Sequence, residues 1–175
     1  MSERAREGPV AAPGPRGAEA PAAFPPERAA FLLVRTGGAL AALPLGDVAL
    51  VTRPLPVEPI AGAPPYVAGL SVIRGRPVPV VSLAALIASD DAAAPRRFVA
   101  VRAGERWVAL AVDDVLAVRA LDPRAFEALP ALLRDARKDT LAAVGALDER
   151  LLLVLRAGRI VPDELWPALG GGAAP

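Results

Sequence analysis

Few residues in this chain could do chemistry. It contains no histidine and no cysteine, which removes the commonest general base, the thiolate nucleophile and the side chains most used as transition-metal ligands. What remains is carboxylates, Lys138 as the sole lysine, Tyr66 and scattered hydroxyls. The most suggestive grouping is Asp113-Asp114, which would serve as a metal site or an acid/base pair if the two carboxylates converged. Adjacent strand residues leave on opposite faces, so the pair predicts a strand-end turn and neither a metal nor a catalytic site. A second grouping is aromatic: Trp107, Tyr66 and Phe98, with Arg96-Arg97 nearby. Single-strand nucleic-acid binding needs stacking aromatics along a basic groove. With aromatics at 4% and a net charge of +1, the chain is not expected to bind nucleic acid. The third grouping is Arg74, between Ile73 and Gly75 in the stretch Gly69–Leu83. It has three readings: a solvated charge, a clasp on backbone carbonyls, or an interface anchor, a role in which arginine is enriched.

The elements that must position these residues are short and apolar. Phe31–Arg35, Leu40–Leu45 and Val48–Val51 are bounded by glycine or proline, which fits buried strands better than helices. Pro54, Pro56 and Pro59 then impose an extended crossing, ended by Pro64-Pro65. Gly69–Ile73 and Val78–Leu83 follow as strands, with a short helix expected over Ser82–Ala88. Pro77 and Pro79 delete two backbone donors from one edge of their strand. Either that strand begins near Val78 or that edge faces no neighbour, and a partner there would use side chains instead of strand addition. Gly69 and Gly75 read as turn or bulge positions.

The pattern then begins again. Phe31–Val51 laid on Phe98–Val118 without a gap gives nine identities: Phe31/Phe98, Val34/Val101, Arg35/Arg102, Gly37/Gly104, Ala42/Ala109, Leu43/Leu110, Asp47/Asp114, Val48/Val115 and Val51/Val118. A weaker echo pairs Arg76–Val81 with Arg150–Leu155. Non-valine matches in register indicate a structural repeat. Asp122-Pro123 marks a helix start, and Val161–Leu169 is a candidate terminal helix limited by Pro162 and Pro167.

Each repeat is near the lower limit for independent burial. The expected architecture is therefore mainly all-β: two small five-stranded barrels packed together, with strands crossing between them. Short helices are expected after the first barrel motif and at the C-terminus. Residues 1–27 read as a flexible tail rich in proline and alanine, 28–169 as one folded unit with repeats starting near 31 and 98, and 170–175 as a frayed end. With 54% hydrophobic residues a real core is expected. No apolar run matches a signal peptide or approaches the roughly 20 residues of a membrane span, so a cytoplasmic location without direct membrane insertion is expected.

Gly69-Leu70-Ser71-Val72-Ile73-Arg74-Gly75, followed by Val78-Pro79-Val80-Val81-Ser82-Leu83, resembles the central motif of the CheW-like coupling proteins of bacterial chemotaxis. Val108–Val115 resembles their second-barrel hairpin, and Leu147–Leu155 resembles their last strand pair. The resemblance spans about Phe31 to Leu169. It implies two five-stranded SH3-like barrels around a shared interface, no catalytic activity and no cofactor. The implied partners are a chemoreceptor (methyl-accepting chemotaxis receptor) cytoplasmic tip and the regulatory domain of a CheA-type histidine kinase.

By the same resemblance, Arg74 and Gly69 occupy positions tied to coupling. Val48 and Leu50 fall on a first-barrel strand associated with kinase or receptor contact, and Val115 and Val118 on a second-barrel strand that helps line a receptor groove. For the four aliphatic residues core packing is the competing role. The chain also departs from the family pattern. Leu50 and Ser82 stand where acidic residues are common, Val72 where asparagine is, and Arg156 where an acid or amide is. Pro77 is an added proline. Such changes alter interface electrostatics, which govern specificity and association rate, and leave room for a divergent adaptor serving one dedicated partner.

Overall fold

A computed structural model of the chain describes residues 28–87, 93–127, 141–148, 150–156, 160, 161 and 166. The expected tails at 1–27 and 170–175 lie outside these residues, as does nearly all of the expected terminal helix over 161–169. Ten strands form two five-stranded sheets. In chain order they are β1 (Ala29–Thr36), β2 (Ala39–Pro44), β3 (Val48–Thr52), β4 (Val67–Ile73) and β5 (Arg76–Ser82), then β6 (Arg97–Ala103), β7 (Arg106–Val112), β8 (Asp114–Leu121), β9 (Leu141–Leu147) and β10 (Arg150–Leu155). A four-residue helix, α1 (Leu83–Leu86), follows β5 and opens on Ser82, whose hydroxyl accepts from the Ala85 N–H at 3.3 Å. The helix start expected at Asp122-Pro123 yields a single 3-10 turn, with the Asp122 carboxylate accepting from the Arg124 N–H.

The strand orders are β8-β1-β2-β10-β9 and β3-β6-β7-β5-β4, and the internal repeat maps one onto the other. The chain crosses to the other sheet after the β1-β2 hairpin and crosses back after the β6-β7 hairpin. β1 and β2 are joined by β8, β9 and β10, whereas β6 and β7 are joined by β3, β4 and β5. The expected assignment of Val108–Val115 to one second-barrel hairpin is corrected here. β7 lies in the sheet of β3–β5, β8 crosses to the other sheet, and Asp113 marks the crossing. We name the barrels by their hairpins, barrel 1 holding β1-β2 and barrel 2 holding β6-β7.

Even the irregularities repeat. Val48 opposes Val101 and Leu50 opposes Ala100 across a register shift in β3-β6. The same shift separates Val34 opposite Val115 from Leu33 opposite Ala117 in β1-β8. The parallel pair Val80–Ala109 likewise has its counterpart in Val154–Ala42. A one-residue shift swaps the faces of every later side chain, so bulges at matching positions hold both edge strands in equivalent orientation.

The burial pattern explains why the strands read as continuous apolar runs and not as alternating ones. Leu32 and Val34 of β1, Ala41 and Leu43 of β2, and Leu153 and Leu155 of β10 face one shared core. Val99 and Val101 of β6 and Val108, Leu110 and Val112 of β7 face it from the other sheet. The alternate residues, Phe31, Leu33, Leu40, Ala42, Leu152 and Val154, fill barrel 1. Ile73, Val78, Val80, Phe98, Ala109 and Ala111 fill barrel 2. Strands covered on both faces lose the polar alternate positions. Each fully buried leucine or valine contributes about 1.5–3 kcal/mol relative to exposure, and the shared face supplies burial that neither small barrel has alone.

Asp113 and Asp114 serve this framework. The Asp113 N–H donates to the Arg35 carbonyl at 3.0 Å, and its Oδ2 accepts from the Gly37 N–H at 2.8 Å. Asp114 turns the other way: Oδ1 accepts from the Val115 N–H at 3.0 Å, and Oδ2 pairs with Arg35 at 3.4 Å. The carboxylates diverge, and no cluster of acidic side chains fit to hold a metal occurs among the described residues. The exposed Arg35–Asp114 pair adds little, but the part-buried Asp113 bond fixes the crossing to the β1-β2 turn. Asp113→Ala should lower the unfolding free energy by about 1–3 kcal/mol, read as a lower urea midpoint at unchanged slope. Asp114→Ala should change it by less than about 1 kcal/mol.

Candidate partner-binding site

The stretch around Arg74 forms the β4-β5 hairpin. Arg74 (φ 50°) and Gly75 (φ 76°) are the two central residues of its turn. Positive φ at both positions is the signature of a type I′ turn, whose twist matches the flanking strands and which favours asparagine or glycine. Gly37 and Gly38 solve the same problem between β1 and β2 with φ of 49° and 76°. Arginine is therefore a conformationally unfavourable choice at position 74. Its side chain is exposed, and among the described residues it makes no hydrogen bond or ion pair. Its counterpart in the β9-β10 hairpin is Asp148 (φ 49°), whose carboxylate lies 3.6 Å from Arg119. Among the described residues, one hairpin tip is thus paired within the chain and the other carries an unpaired cation.

The flanks of Arg74 are apolar. Val72 opposes Pro77 across the hairpin, and cross-strand partners share a face. That face points outward: Val72 is 66% exposed and Pro77 is exposed as well. Behind the tip, Ile73 is buried inside barrel 2 and is not part of the core shared between the barrels.

Gly69 has a different character. It is buried, has φ 146°, and lies at a register shift between β4 and β5. The crossing segment runs over it: Glu58 N–H donates to the Leu70 carbonyl at 2.8 Å, and the Leu70 N–H donates back to Glu58 at 2.9 Å. A Cβ at 69 would overlap the Glu58 carbonyl oxygen and lie 2.9 Å from Val57 Cγ1. This close approach positions the hairpin and offers nothing to a partner directly.

The prolines have a geometric account. In a two-residue hairpin the pair flanking the turn, Ile73 and Arg76, is hydrogen-bonded, so Val78 opposite Ser71 is the next bonded position. The N atoms of Pro77 and Pro79 consequently face β7, where pairing begins only at Val80. β5 therefore starts at Arg76 and not near Val78, and the missing donors fall where no neighbour needs them.

The six residues singled out by resemblance divide between the two sheets. Two placements are corrected: Val48 and Leu50, expected on a first-barrel strand, belong with Gly69 and Arg74 to barrel 2, while Val115 and Val118, expected on a second-barrel strand, lie on β8 of barrel 1, because β3 and β8 cross to the other sheet. Val48 and Val115 are half-buried against the shared core, and Leu50 is half-buried against the interior of barrel 2. Val118 is 43% exposed. It opposes Leu32, a shared-core residue, so it extends that face to the solvent edge. Val51, its counterpart, does the same opposite Val99 at 42% exposure. Val51, Val72, Leu116 and Leu151 are exposed apolar residues not expected from sequence. The Val51/Val118 identity was the available signal for the first of these.

The aromatic residues are engaged elsewhere. Phe98 is buried, Trp107 packs on the interior of barrel 2 with the Arg76 guanidinium 5.7 Å from its ring centre, and Tyr66 packs on the shared core. None is displayed as a stacking platform beside a basic groove.

The fold is a double barrel built from an exchanged repeat, and comparison with known proteins finds the same architecture. The model of the CheW-like domain matches residues 30–165, and the chain belongs to that family. The crystal structure of the scaffolding protein TtCheW from Thermoanaerobacter tengcongensis superposes with a TM-score of 0.66 at 17% sequence identity, covering 76% of this chain and 92% of that one. Comparison with curated protein sequences gives no match. As a CheW-like domain the chain is a non-enzymatic scaffold module of chemotaxis signalling. No helix among the described residues is long and apolar enough to cross a membrane.

Proposed function

We propose that this protein is a cytoplasmic coupling scaffold that links the signalling tip of a methyl-accepting chemoreceptor to the regulatory domain of a CheA-type histidine kinase. The observation that carries this reading is Arg74: an unpaired guanidinium, held at an unfavourable φ on an exposed hairpin tip and flanked by Val72 and Pro77. A cation rimmed by apolar surface has the chemistry of an interface anchor for a carboxylate-bearing partner. The half-buried Val48, Leu50 and Val115 and the exposed Val118 are proposed to contribute aliphatic contact along β3 and β8. Gly69 is proposed to act through the hairpin it positions.

A second reading rests on the outer surface itself. The exposed Val72 and the half-buried Leu50 and Ser82 remove the polar or acidic character that the family pattern carries at those places, and Arg53, Arg74 and Arg76 are all exposed. Such a surface selects an acidic partner and disfavours a basic one, which fits an adaptor devoted to a single receptor or kinase. Titrating the full chain separately with the receptor tip and with the kinase regulatory domain distinguishes the two. Binding to both supports the coupler, whereas binding to one alone supports the dedicated adaptor. If the folded chain binds neither, both readings fail.

A further inference from the structure

The two barrels differ in how their interiors are closed. In barrel 1 the Phe126 ring meets Phe31 edge-on, with centroids 5.4 Å apart and an interplanar angle of 87°. The internal repeat identifies the corresponding place in barrel 2. Phe31 corresponds to Phe98, and the bridge from Glu127 to Val144 corresponds to the bridge from Glu58 to Leu70. Phe126 therefore corresponds to Val57. With a valine there, the space beside Phe98 is left as a partly open cavity of about 170 Å³, bordered also by Val80 and by the exposed Ala68, Ala93 and Pro95.

One side of the cavity is polar. Thr36, Ser82 and Asp113 line it. Thr36 is fully buried, and its Oγ1 has no hydrogen-bond partner. Leaving such a hydroxyl unsatisfied is costly, so it is available to a water or a ligand that enters the cavity. Asp113 uses Oδ2 for the Gly37 N–H, leaving Oδ1 as an acceptor. Ser82 accepts from the Ala85 N–H and keeps its own proton to donate. An apolar cavity of about 150 Å³ is already large enough to hold benzene.

We propose that this cavity binds a small aromatic molecule carrying one hydroxyl group, a phenol-class ligand. The ring takes the place against Phe98 that the Phe126 ring takes against Phe31. The ligand hydroxyl donates to Asp113, and its oxygen accepts from Thr36. The apolar wall sets the ring, and the polar wall selects the hydroxylated ring over a plain hydrocarbon of the same shape, because an apolar ligand leaves buried polar groups unpaired. The site is independent of the hairpin tip that carries Arg74, so it stands or falls separately from the coupling reading.

The test titrates the full-length protein with phenol and with toluene, following the thermal midpoint and the amide and methyl NMR signals of Thr36, Val57 and Phe98. Phenol should raise the midpoint in a concentration-dependent manner and shift those signals saturably, with toluene at least about tenfold weaker. Val57→Phe should raise the midpoint without ligand and abolish the phenol response. Thr36→Val, which keeps the shape of the wall, should retain ring binding and shrink the preference for phenol. That variant carries the test if Val57→Phe does not fold. The proposal is overturned by signals that do not saturate with phenol, by equal binding to wild type and Val57→Phe, or by the absence of any preference for phenol over toluene.

Discussion

Replacing Gly69 by alanine is expected to destabilise the fold by about 3 kcal/mol or more, as two independent penalties add. The first is conformational: at φ 146° a residue with a Cβ occupies a region essentially reserved for glycine, at about 1–3 kcal/mol. The second is steric. The new methyl group would overlap the Glu58 carbonyl oxygen, and its 2.9 Å approach to Val57 Cγ1 gives no room to move aside. Relief would require the crossing segment to lift, breaking both backbone hydrogen bonds between Glu58 and Leu70. For a domain of this size such a loss lowers the thermal midpoint by roughly 6–12 °C. Gly75 provides the internal comparison: its φ is 76°, but a Cβ there meets nothing within 4 Å. Gly75→Ala should cost only about 1–2 kcal/mol. Equal effects at the two positions would remove the close approach of Glu58 as the explanation.

The second large effect is at Arg74, where stability and binding should move in opposite directions. Arg74→Asn places a residue suited to a type I′ turn at φ 50°. It removes no intramolecular bond among the described residues, so the fold should gain about 0.5–1 kcal/mol. The same substitution deletes the guanidinium offered to the partner. Losing an interface arginine anchor costs about 2 kcal/mol or more of binding free energy, a thirtyfold or greater drop in affinity. Arg74→Glu should weaken binding further through charge repulsion, mainly by slowing association at low salt. Chemical denaturation and partner titration of the same three proteins check both halves. If Arg74→Asn stabilises the chain and leaves affinity unchanged, the arginine has no part in the interface.

Much of the fold is legible in the chain. The nine identities between Phe31–Val51 and Phe98–Val118 mark strands that prove equivalent down to their bulges. The runs of valine and leucine announce strands buried on both faces. What the identities leave open is which sheet each strand joins. A repeat reports that β3 and β8 are alike, and it is equally satisfied whether each stays with its own hairpin or crosses to the other. Crossing strands are expected from the small size of each repeat, but which strands cross is decided by long-range pairing that no local pattern encodes.

The site is less legible. Arg74 does not announce a hairpin turn, because its residue type argues against the positive φ it adopts; the neighbouring glycine alone carries that signal. The constraint on Gly69 comes from Glu58, on a segment that reads only as proline-rich crossing. Val72 is identifiable as outward-facing once β4 is fixed, since it alternates with the buried Ser71 and Ile73. Val48 and Leu50 share a parity that would place them on one face, but the bulge between them turns Val48 to the shared core and Leu50 into barrel 2.

The central claim is that this chain joins two partners. The most direct measurement mixes the kinase with receptor tips, with and without the full-length protein, and follows both co-sedimentation and kinase autophosphorylation. Coupling predicts that the kinase joins the receptor fraction, and that its activity responds to the receptor, only when the chain is present, with Arg74→Glu failing to support either. A correctly folded chain that leaves the kinase free of the receptor and its activity unchanged would contradict the account.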